Sequence, residues 1–265
     1  MRIFQKIVLG ARARLAREVE LCVLPNEERA KVFREQTKTK KALESVWNVP
    51  RSDEICEQKK RPNPDNPLRI FYGGSLSSER LSPLVLEEVV RLHPKIELHI
   101  VGYATYQHRE LLNNIESYAG KGLLKFHGPK SREKMWAIAD QCETAFCLMP
   151  MSSQDLNMRT MAGASNKPFD AMARGLAVVV SDIPEWEKLY LPGDNHEGGK
   201  GFRISDTGYG IAINPERRGS IQAGLEWMLN NREKLWAMGE NGRSKIKTSW
   251  NYDKIYANIV KGFFR

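Results

Sequence analysis

The sequence lacks the features of a membrane-spanning or exported chain. It has no apolar run long enough to cross a bilayer, and its N-terminus has no hydrophobic segment followed by a small-residue cleavage site. Its four cysteines include no Cys-x-x-Cys pair and have no histidine partner at metal-ligand spacing. We therefore expect reduced, structural cysteines, a cytoplasmic protein and no metal site.

Familiar catalytic signatures are missing as well. The chain has no Ser-His-Asp order, no His-Glu-x-x-His pair and no P-loop lysine. Aromatic side chains are sparse in the N-terminal quarter, where only Phe4, Phe33 and Trp47 occur. Because base stacking needs such side chains, a nucleic-acid partner is not expected.

The chain does have an ordinary globular composition and an uneven charge. Of its 265 residues, 41% are hydrophobic and 28% are charged, which suits one full domain and part of another. The formal net charge is +9, and residues 1–61 contribute +6 of it through 15 basic and 9 acidic side chains. The N-terminal quarter therefore holds most of the positive charge.

The first segment predicts a basic amphipathic helix. Ile3, Ile7 and Leu15 recur at helical spacing, and basic side chains occupy the other faces. Such a helix either covers a domain core or lies on an anionic membrane surface. Peripheral contact with the inner membrane face through residues 1–17 therefore stays open.

The rest of the chain predicts a parallel sheet. A polar, proline-rich segment at residues 51–67 separates a short N-terminal α/β segment from a regular alternation of apolar strands and amphipathic helices. This alternation predicts an α/β fold, a Rossmann-like parallel sheet with helices on both faces. Strands are expected at residues 68–73, 96–101, 123–127, 144–149 and 208–213, and in the run before Asp182.

Ligands bind an open parallel sheet beyond the carboxyl ends of its strands, so the loops after the strands are the candidate sites. Gly73 and Gly74 open the first loop, which ends in Arg80, a guanidinium suited to phosphate. Gly102 and Tyr103 follow the second strand, Gly128 and Lys130 the third, and a long polar loop at residues 150–166 the fourth. His127 fits a loop histidine better than a catalytic base.

Residues 165–182, SNKPFDAMARGLAVVVSD, predict a short helix that leads into a buried strand. Pro168 fits the first helical position, Asp170 the first turn and Gly175 the left-handed stop. The N–H groups at the start of such a helix could hold an anion such as phosphate. Alternatively, Asp170 only stabilises the helix dipole.

In this order the elements resemble the C-terminal, donor-binding half of a GT-B glycosyltransferase, and are most similar to glycosyltransferase family 4. The resemblance runs from about residue 68 to residue 256. It rests on FYGGSLSSER, IELHIVGY, LKFHGPKSREKMWAIADQCETAFCLMP, SNKPFDAMARGLAVVVSD and MGENGRSKIKTSWNYDKIY. The resemblance implies a nucleotide-diphosphate sugar as substrate and retaining transfer without a metal or other cofactor. In such a reaction, cations and helix N–H groups stabilise the leaving diphosphate.

The resemblance also implies roles for single residues. These are diphosphate binding by Gly73, Gly74, Arg80, Asn166 and Lys167, ribose binding by Asp170, and a base pocket or sugar loop at Gly102, Tyr103, Gly128 and Lys130. Gly74 stands where the family has its first basic residue, so one phosphate contact is either missing or comes from elsewhere. Ala162 replaces the first glutamate of the family's Glu-x7-Glu pair, and Asp170 is one methylene shorter than the second. No catalytic carboxylate is therefore assigned.

The resemblance further divides the chain. Residues 1–50 resemble the end of an N-terminal acceptor domain, 51–67 a linker, 68–247 the donor-binding domain, and 248–265 a helix that crosses back onto residues 1–50.

Three functions stay open. The first is a retaining glycosyltransferase with an unknown glycan, lipid-linked or small-molecule acceptor. The others are a non-catalytic nucleotide-sugar binding subunit or fragment that needs a partner acceptor domain, and a basic protein of the membrane surface.

Overall fold

A computed structural model describes residues 3–57, 59–193, 195–197 and 201–263, without the side chains of residues 195–197, Asn258 and Phe263. Met1 and Arg2 of the predicted amphipathic helix, and Phe264 and Arg265 of the predicted crossover helix, lie outside these ranges. Within them, no helix is both long and apolar enough to cross a bilayer.

The N-terminal residues form a small α/β unit. It consists of α1 (Ile3–Glu18), β1 (Leu21–Leu24), α2 (Glu27–Thr37) and β2 (Ala42–Ser45). The two strands pair in parallel, with Leu21 opposite Ala42. Asn26 caps α2, since its side chain accepts a hydrogen bond of 2.8 Å from the Arg29 N–H. The unit agrees with the short α/β segment that the sequence predicts.

The remaining strands form one eight-stranded sheet. They are β3 (Leu68–Leu76), β4 (Ile96–Ala104), β5 (Lys125–Phe126), β6 (Thr144–Cys147), β7 (Ala177–Ser181), β8 (Asn195–Glu197), β9 (Phe202–Ser205) and β10 (Gly210–Ile213). Their order is β5-β4-β3-β6-β7-β10-β9-β8. The first six in this order are parallel. At one edge, β9 runs antiparallel to β10, and β8 runs antiparallel to β9.

Helices cover both faces of this sheet, which confirms the predicted fold class. The helices that follow β3 in the chain are α3 (Pro83–Arg91), α4 (Arg109–Gly120), α5 (Arg132–Ala139), α6 (Leu156–Arg159), α7 (Asn166–Ala173), α8 (Pro184–Tyr190), α9 (Arg218–Asn230), α10 (Arg232–Thr248) and α11 (Tyr252–Phe263). One buried layer packs strand residues such as Ile70 against α3, α4 and α9. The other packs residues such as Val178 against α5, α7 and α8.

The strand order creates a crevice between β3 and β6. The chain runs outward from β3 to β4 and β5, then returns to place β6 on the other side of β3. The loops after β3 and β6 therefore diverge, and a ligand can enter between them. Helix α7 follows β6 along the chain, and its N-terminus faces this crevice together with the end of β3.

Helix α7 begins two residues earlier than the sequence predicts. Ser165 is its N-cap and Asn166 its first helical residue, so Pro168 stands in the third position and Asp170 in the second turn. The predicted positions of Pro168 and Asp170 are therefore wrong. Proline is tolerated there because the N–H groups of the first turn have no acceptor within the helix. Gly175 does end the helix in the left-handed region, with φ +67°.

The segment between the two sheets packs against α7 and α11. The Cys56 N–H donates to the Ala173 carbonyl at 2.9 Å, and Lys59 Nζ donates to the Gly175 carbonyl at 3.2 Å. At the start of α11, the Tyr252 N–H donates to the Pro50 carbonyl at 2.8 Å. The first turn of α11 therefore lies beside the end of the N-terminal unit.

Candidate functional site

A cavity of about 300 Å³ lies in the crevice between β3 and β6. This volume is in the range of small-molecule sites. Six of the ten residues that the sequence singles out line it: Gly73, Gly74, Arg80, Asn166, Lys167 and Asp170. The strand ends and the α7 N-terminus thus bring these distant parts of the sequence together.

Lys167 reaches from the first turn of α7 to the end of β3. Its Nζ lies 3.0 Å from Tyr72 Oη and 4.2 Å from the centroid of the Tyr72 ring. Burial, with a smaller effect from the charge of Arg80, lowers the pKa of Lys167 to about 7. An anion in the cavity would favour the charged form of this lysine.

Arg80 provides a second cation in the same cavity. Its Nη1 donates to Ser75 Oγ at 2.9 Å. Within the described ranges, neither Lys167 nor Arg80 makes an ion pair, because the carboxylate of Asp170 pairs with Arg132. Two neighbouring cations that make no ion pair are suited to bind a phosphate or diphosphate group.

Gly74 leaves the space that Lys167 fills. A Cβ atom at this position would lie 2.9 Å from Lys167 Cε, and the φ of Gly74 is +118°. Only glycine adopts this backbone conformation readily. Glycine at position 74 therefore allows the lysine side chain to lie against the end of β3.

Asp170 lies in the same cavity and pairs with Arg132. Its Oδ1 accepts a hydrogen bond of 2.9 Å from Arg132 Nη2, and Arg132 Nε donates to Glu54 Oε1 at 3.0 Å. Burial raises the pKa of Asp170 to about 6, although Arg132 opposes this shift. Asp170 is therefore mostly ionised at neutral pH and can accept hydrogen bonds from hydroxyl groups.

The N-terminus of α7 adds backbone donors to the site. Ser165 makes no side-chain cap hydrogen bond, so its hydroxyl does not occupy the first-turn N–H groups. The preceding loop is held by the N-terminal unit, because Asn26 Nδ2 donates to the Thr160 and Ala162 carbonyls at 2.8 and 2.7 Å. Asn26 thus fixes the backbone at Ala162, where the resemblance expects a glutamate.

The other four predicted residues, Gly102, Tyr103, Gly128 and Lys130, do not line the cavity. The Gly102 N–H donates to the Gly128 carbonyl at 3.1 Å, and a Cβ atom on Gly102 would lie 1.9 Å from the Gly74 carbonyl oxygen. Close strand packing therefore accounts for Gly102. Tyr103 is 58% exposed and Lys130 is also exposed. A role of these four residues in base or sugar binding stays a prediction.

His127 takes part in a small polar network away from the cavity. Its Nε2 lies 3.2 Å from His99 Nδ1, and His99 Nε2 lies 2.6 Å from Glu97 Oε1. Burial lowers the pKa of His127, which favours the neutral ring. The described residues contain no group of His, Cys, Asp and Glu side chains that could hold a metal ion.

Sequence reasoning missed three residues that shape the site: Tyr72, Ser75 and Arg132. Tyr72 has the spacing of an inward-facing strand residue, so the sequence pattern assigns it to the hydrophobic core and not to a binding site. Arg132 gives a weak signal, since a basic side chain at the first position of α5 is unfavourable next to the helix dipole. Such a residue indicates a nearby acidic partner, here Asp170 and Glu54.

The chain matches a glycosyltransferase family and a curated protein in sequence. The family described as glycosyl transferases group 1 matches residues 53–245. The O-antigen biosynthesis protein RfbC of Myxococcus xanthus is 26% identical over 158 residues, which are 58% of this chain and 11% of that protein. The match therefore spans about a tenth of the curated relative.

Solved structures share the fold at low identity. HepE of Anabaena, solved in complex with UDP, superimposes with a TM-score of 0.67 at 13% identity, over 98% of this chain and 68% of HepE. Sucrose-phosphate synthase of Thermosynechococcus elongatus gives a TM-score of 0.63 at 14% identity, over 97% of this chain and 61% of the synthase. Both similarities extend over the N-terminal unit as well as the large sheet.

Proposed function

Because the chain belongs to the glycosyl transferases group 1 family, we propose that it binds a nucleotide-diphosphate sugar in the 300 Å³ cavity and transfers the sugar to an acceptor. The observation that carries this proposal is the pair of cations, Lys167 and Arg80, at the end of β3 beside the α7 N-terminus. A diphosphate supplies the negative charge that this pair lacks.

Each of the predicted site residues has a role in this proposal. Lys167, Arg80 and the first-turn N–H groups of α7 bind the diphosphate, while Gly73 and Gly74 let it approach the backbone. Asp170 accepts hydrogen bonds from the ribose hydroxyls and shares its carboxylate with Arg132. Asn166, exposed at the start of α7, donates to the distal phosphate. The base lies toward the loops that hold Gly102, Tyr103, Gly128 and Lys130.

The transfer step depends on stabilisation of the leaving group. The bond between the sugar C1 and the distal phosphate oxygen breaks, and its electron pair stays on the phosphate. The acceptor hydroxyl oxygen bonds to C1 and gives its proton to the departing phosphate oxygen. Lys167 and Arg80 stabilise the negative charge that develops on the diphosphate, so no protein nucleophile and no metal are required.

We infer that the enzyme is a retaining transferase of family 4 type, in which residues 1–50 are the end of an acceptor domain and residues 68–247 the donor domain. A glycan acceptor is the class we propose, supported by the O-antigen role in the name of RfbC. The test is the stereochemistry of donor turnover. Proton NMR of the sugar released from UDP-, GDP- or ADP-α-hexoses should show the α-anomer first, and a β-anomer would contradict retention.

A second candidate is a non-catalytic nucleotide-sugar binding subunit or fragment that needs a partner acceptor domain. Partial coverage supports it, because the chain spans 68% of HepE and 61% of sucrose-phosphate synthase, and its match spans 11% of RfbC. Nucleotide binding without any donor turnover supports this candidate, and donor hydrolysis or transfer by the purified chain contradicts it.

We also propose peripheral membrane contact through α1. Ile3, Phe4 and Ile7 are 80%, 75% and 63% exposed on this helix. Basic side chains accompany them on the same helix, as in helices that bind anionic membrane surfaces. Such contact would place the enzyme near lipid-linked acceptors at the cytoplasmic face.

A further inference from the structure

The way Lys167 is held points to a residue outside the predicted site. Within the described ranges, Lys167 Nζ makes one hydrogen bond, to Tyr72 Oη at 3.0 Å. An ammonium group has three N–H donors, so two remain for a ligand. The contact with Tyr72 therefore orients the group without occupying it.

The hydroxyl of Tyr72 is itself fixed in direction. Tyr72 is fully buried, and its Oη donates to the Ser75 carbonyl at 2.8 Å. A phenol has a single proton, so the oxygen faces Lys167 only as an acceptor. The ring lies under the same ammonium at 4.2 Å, which adds a cation–π attraction.

Ser75 joins this arrangement to the second cation. Its carbonyl accepts from Tyr72, and its hydroxyl accepts from Arg80 Nη1 at 2.9 Å. The β3 end therefore holds both cations at once: Arg80 directly through Ser75, and Lys167 through Tyr72. Gly74, between Tyr72 and Ser75, leaves the space for the lysine carbons.

We propose that Tyr72 is a positioning residue that, with the space at Gly74, holds the Lys167 ammonium where it binds the diphosphate. The β3 loop then needs no basic side chain at position 74, because the cation comes from α7. This inference rests on the proposed function for its ligand, a nucleoside diphosphate, but the Tyr72–Lys167 contact itself does not depend on it.

The first test is a double-mutant cycle in the full chain, with UDP as the probe and calorimetry as the measurement. Tyr72→Phe keeps the ring and removes the acceptor oxygen, so UDP binding should weaken roughly tenfold. In a Lys167→Met background the same change should have no further effect. Equal losses in both backgrounds, or no loss in either, would overturn the inference.

The chain offers a matched control in Tyr190. It is also a fully buried tyrosine of this domain, but its hydroxyl has no hydrogen-bond partner among the residues that the structure describes. Tyr190→Phe should leave UDP affinity unchanged. A loss there as large as that of Tyr72→Phe would show that any change of a buried tyrosine disturbs the site, and would contradict a specific role of Tyr72.

A second measurement needs no ligand. NMR of lysine 13Cε resonances reports the pKa of Lys167 directly. The Tyr72 oxygen favours the charged form of the lysine, so Tyr72→Phe should lower the pKa of Lys167. An unchanged pKa overturns the inference. If the wild-type chain binds no nucleoside diphosphate, the proposed function fails, whereas this measurement still decides whether Tyr72 holds Lys167.

Discussion

At the residue scale, the cavity holds two ionisable groups whose pKa values burial moves toward neutrality. The pKa of Lys167 is lowered to about 7 and that of Asp170 is raised to about 6. Both shifts have the same cause, since a poorly hydrated cavity disfavours the charged form of each group. A ligand that brings opposite charge or hydrogen-bond donors restores the charged forms.

Binding of a diphosphate should therefore be coupled to proton uptake. At pH 8 the free protein holds Lys167 mostly uncharged, because its pKa is about 7. The bound diphosphate raises that pKa, so Lys167 takes up a proton from the buffer. Calorimetry of UDP binding at pH 8 should give enthalpies that depend on the buffer's ionisation enthalpy. Lys167→Met should abolish the dependence, and buffer-independent enthalpies in the wild type would contradict the proposal.

Asp170 should distinguish ligands with a ribose from ligands without one. Asp170→Ala removes the proposed acceptor for the ribose hydroxyls, so UDP affinity should fall roughly tenfold. Pyrophosphate has no ribose, and its affinity should not fall. Titration of both ligands measures the difference. Equal losses for UDP and pyrophosphate would assign Asp170 to the phosphates or to the fold instead.

The sequence could predict the residues that line the site, but not the residues that position them. Gly74 and Arg80 follow from the rule that ligands bind beyond the carboxyl ends of parallel strands, whereas Lys167 is predicted by the family resemblance. Tyr72 could not be found in this way, because an inward-facing strand tyrosine has the same pattern whether it packs or positions a cation. Its role depends on the rotamer of Lys167, which no local pattern specifies.

At the element scale, α7 is held in place by α10. A Cβ atom on Gly239, in the middle of α10, would lie 2.3 Å from the Gly175 carbonyl oxygen at the end of α7. The two helices can approach this closely only because residue 239 has no side chain. The position of the α7 N-terminus in the cavity therefore depends on a glycine far from the ligand.

Gly239→Ala should destabilise the protein. The added methyl group forces α10 away from the α7–β7 turn, and the free energy of unfolding should fall by about 1–3 kcal/mol. Gly219→Ala is the matched control in α9, where a Cβ atom would meet nothing within 4 Å. Urea unfolding should show a loss for Gly239→Ala and none for Gly219→Ala. Equal stability of the two variants would contradict the close packing of α10 on α7.

Long apolar elements could be predicted from the sequence more easily than short ones. The parallel strands β3, β4 and β7 lie in runs of buried aliphatic residues, which favour strands whatever their neighbours. β8 and β9 have three and four residues, and the pairing of β9 with β10 and of β8 with β9 depends on contacts outside each strand. The start of α7 was misplaced because proline fits several positions of a first turn, not only the first.

At the scale of the whole molecule, α1 carries six of the twelve exposed large hydrophobic side chains of the described residues. This helix buries only Ala16 among its sixteen residues. Large contiguous patches of exposed apolar side chains are typical of contact surfaces. The sequence could predict the amphipathic helix but not the surface that its apolar face contacts, because that contact depends on groups outside the helix.

The chain should bind vesicles that contain anionic phospholipid. Ile3, Phe4 and Ile7 can insert among the acyl chains while basic residues of α1 contact the headgroups. Co-sedimentation should be lost when these three residues are changed to serine, and it should weaken in high salt. Vesicles of neutral phospholipid are the control. Equal sedimentation of the wild-type chain and the triple serine variant with anionic vesicles would exclude α1 as the anchor.

The central claim is that the crevice between β3 and β6 binds a nucleoside diphosphate through Lys167 and Arg80. Isothermal titration of the full chain with UDP, GDP and ADP tests it most directly. The account predicts that at least one of them binds with 1:1 stoichiometry, and that Lys167→Met and Arg80→Met each weaken this binding at least tenfold. Absence of binding by all three, or unchanged affinity in both variants, would contradict it.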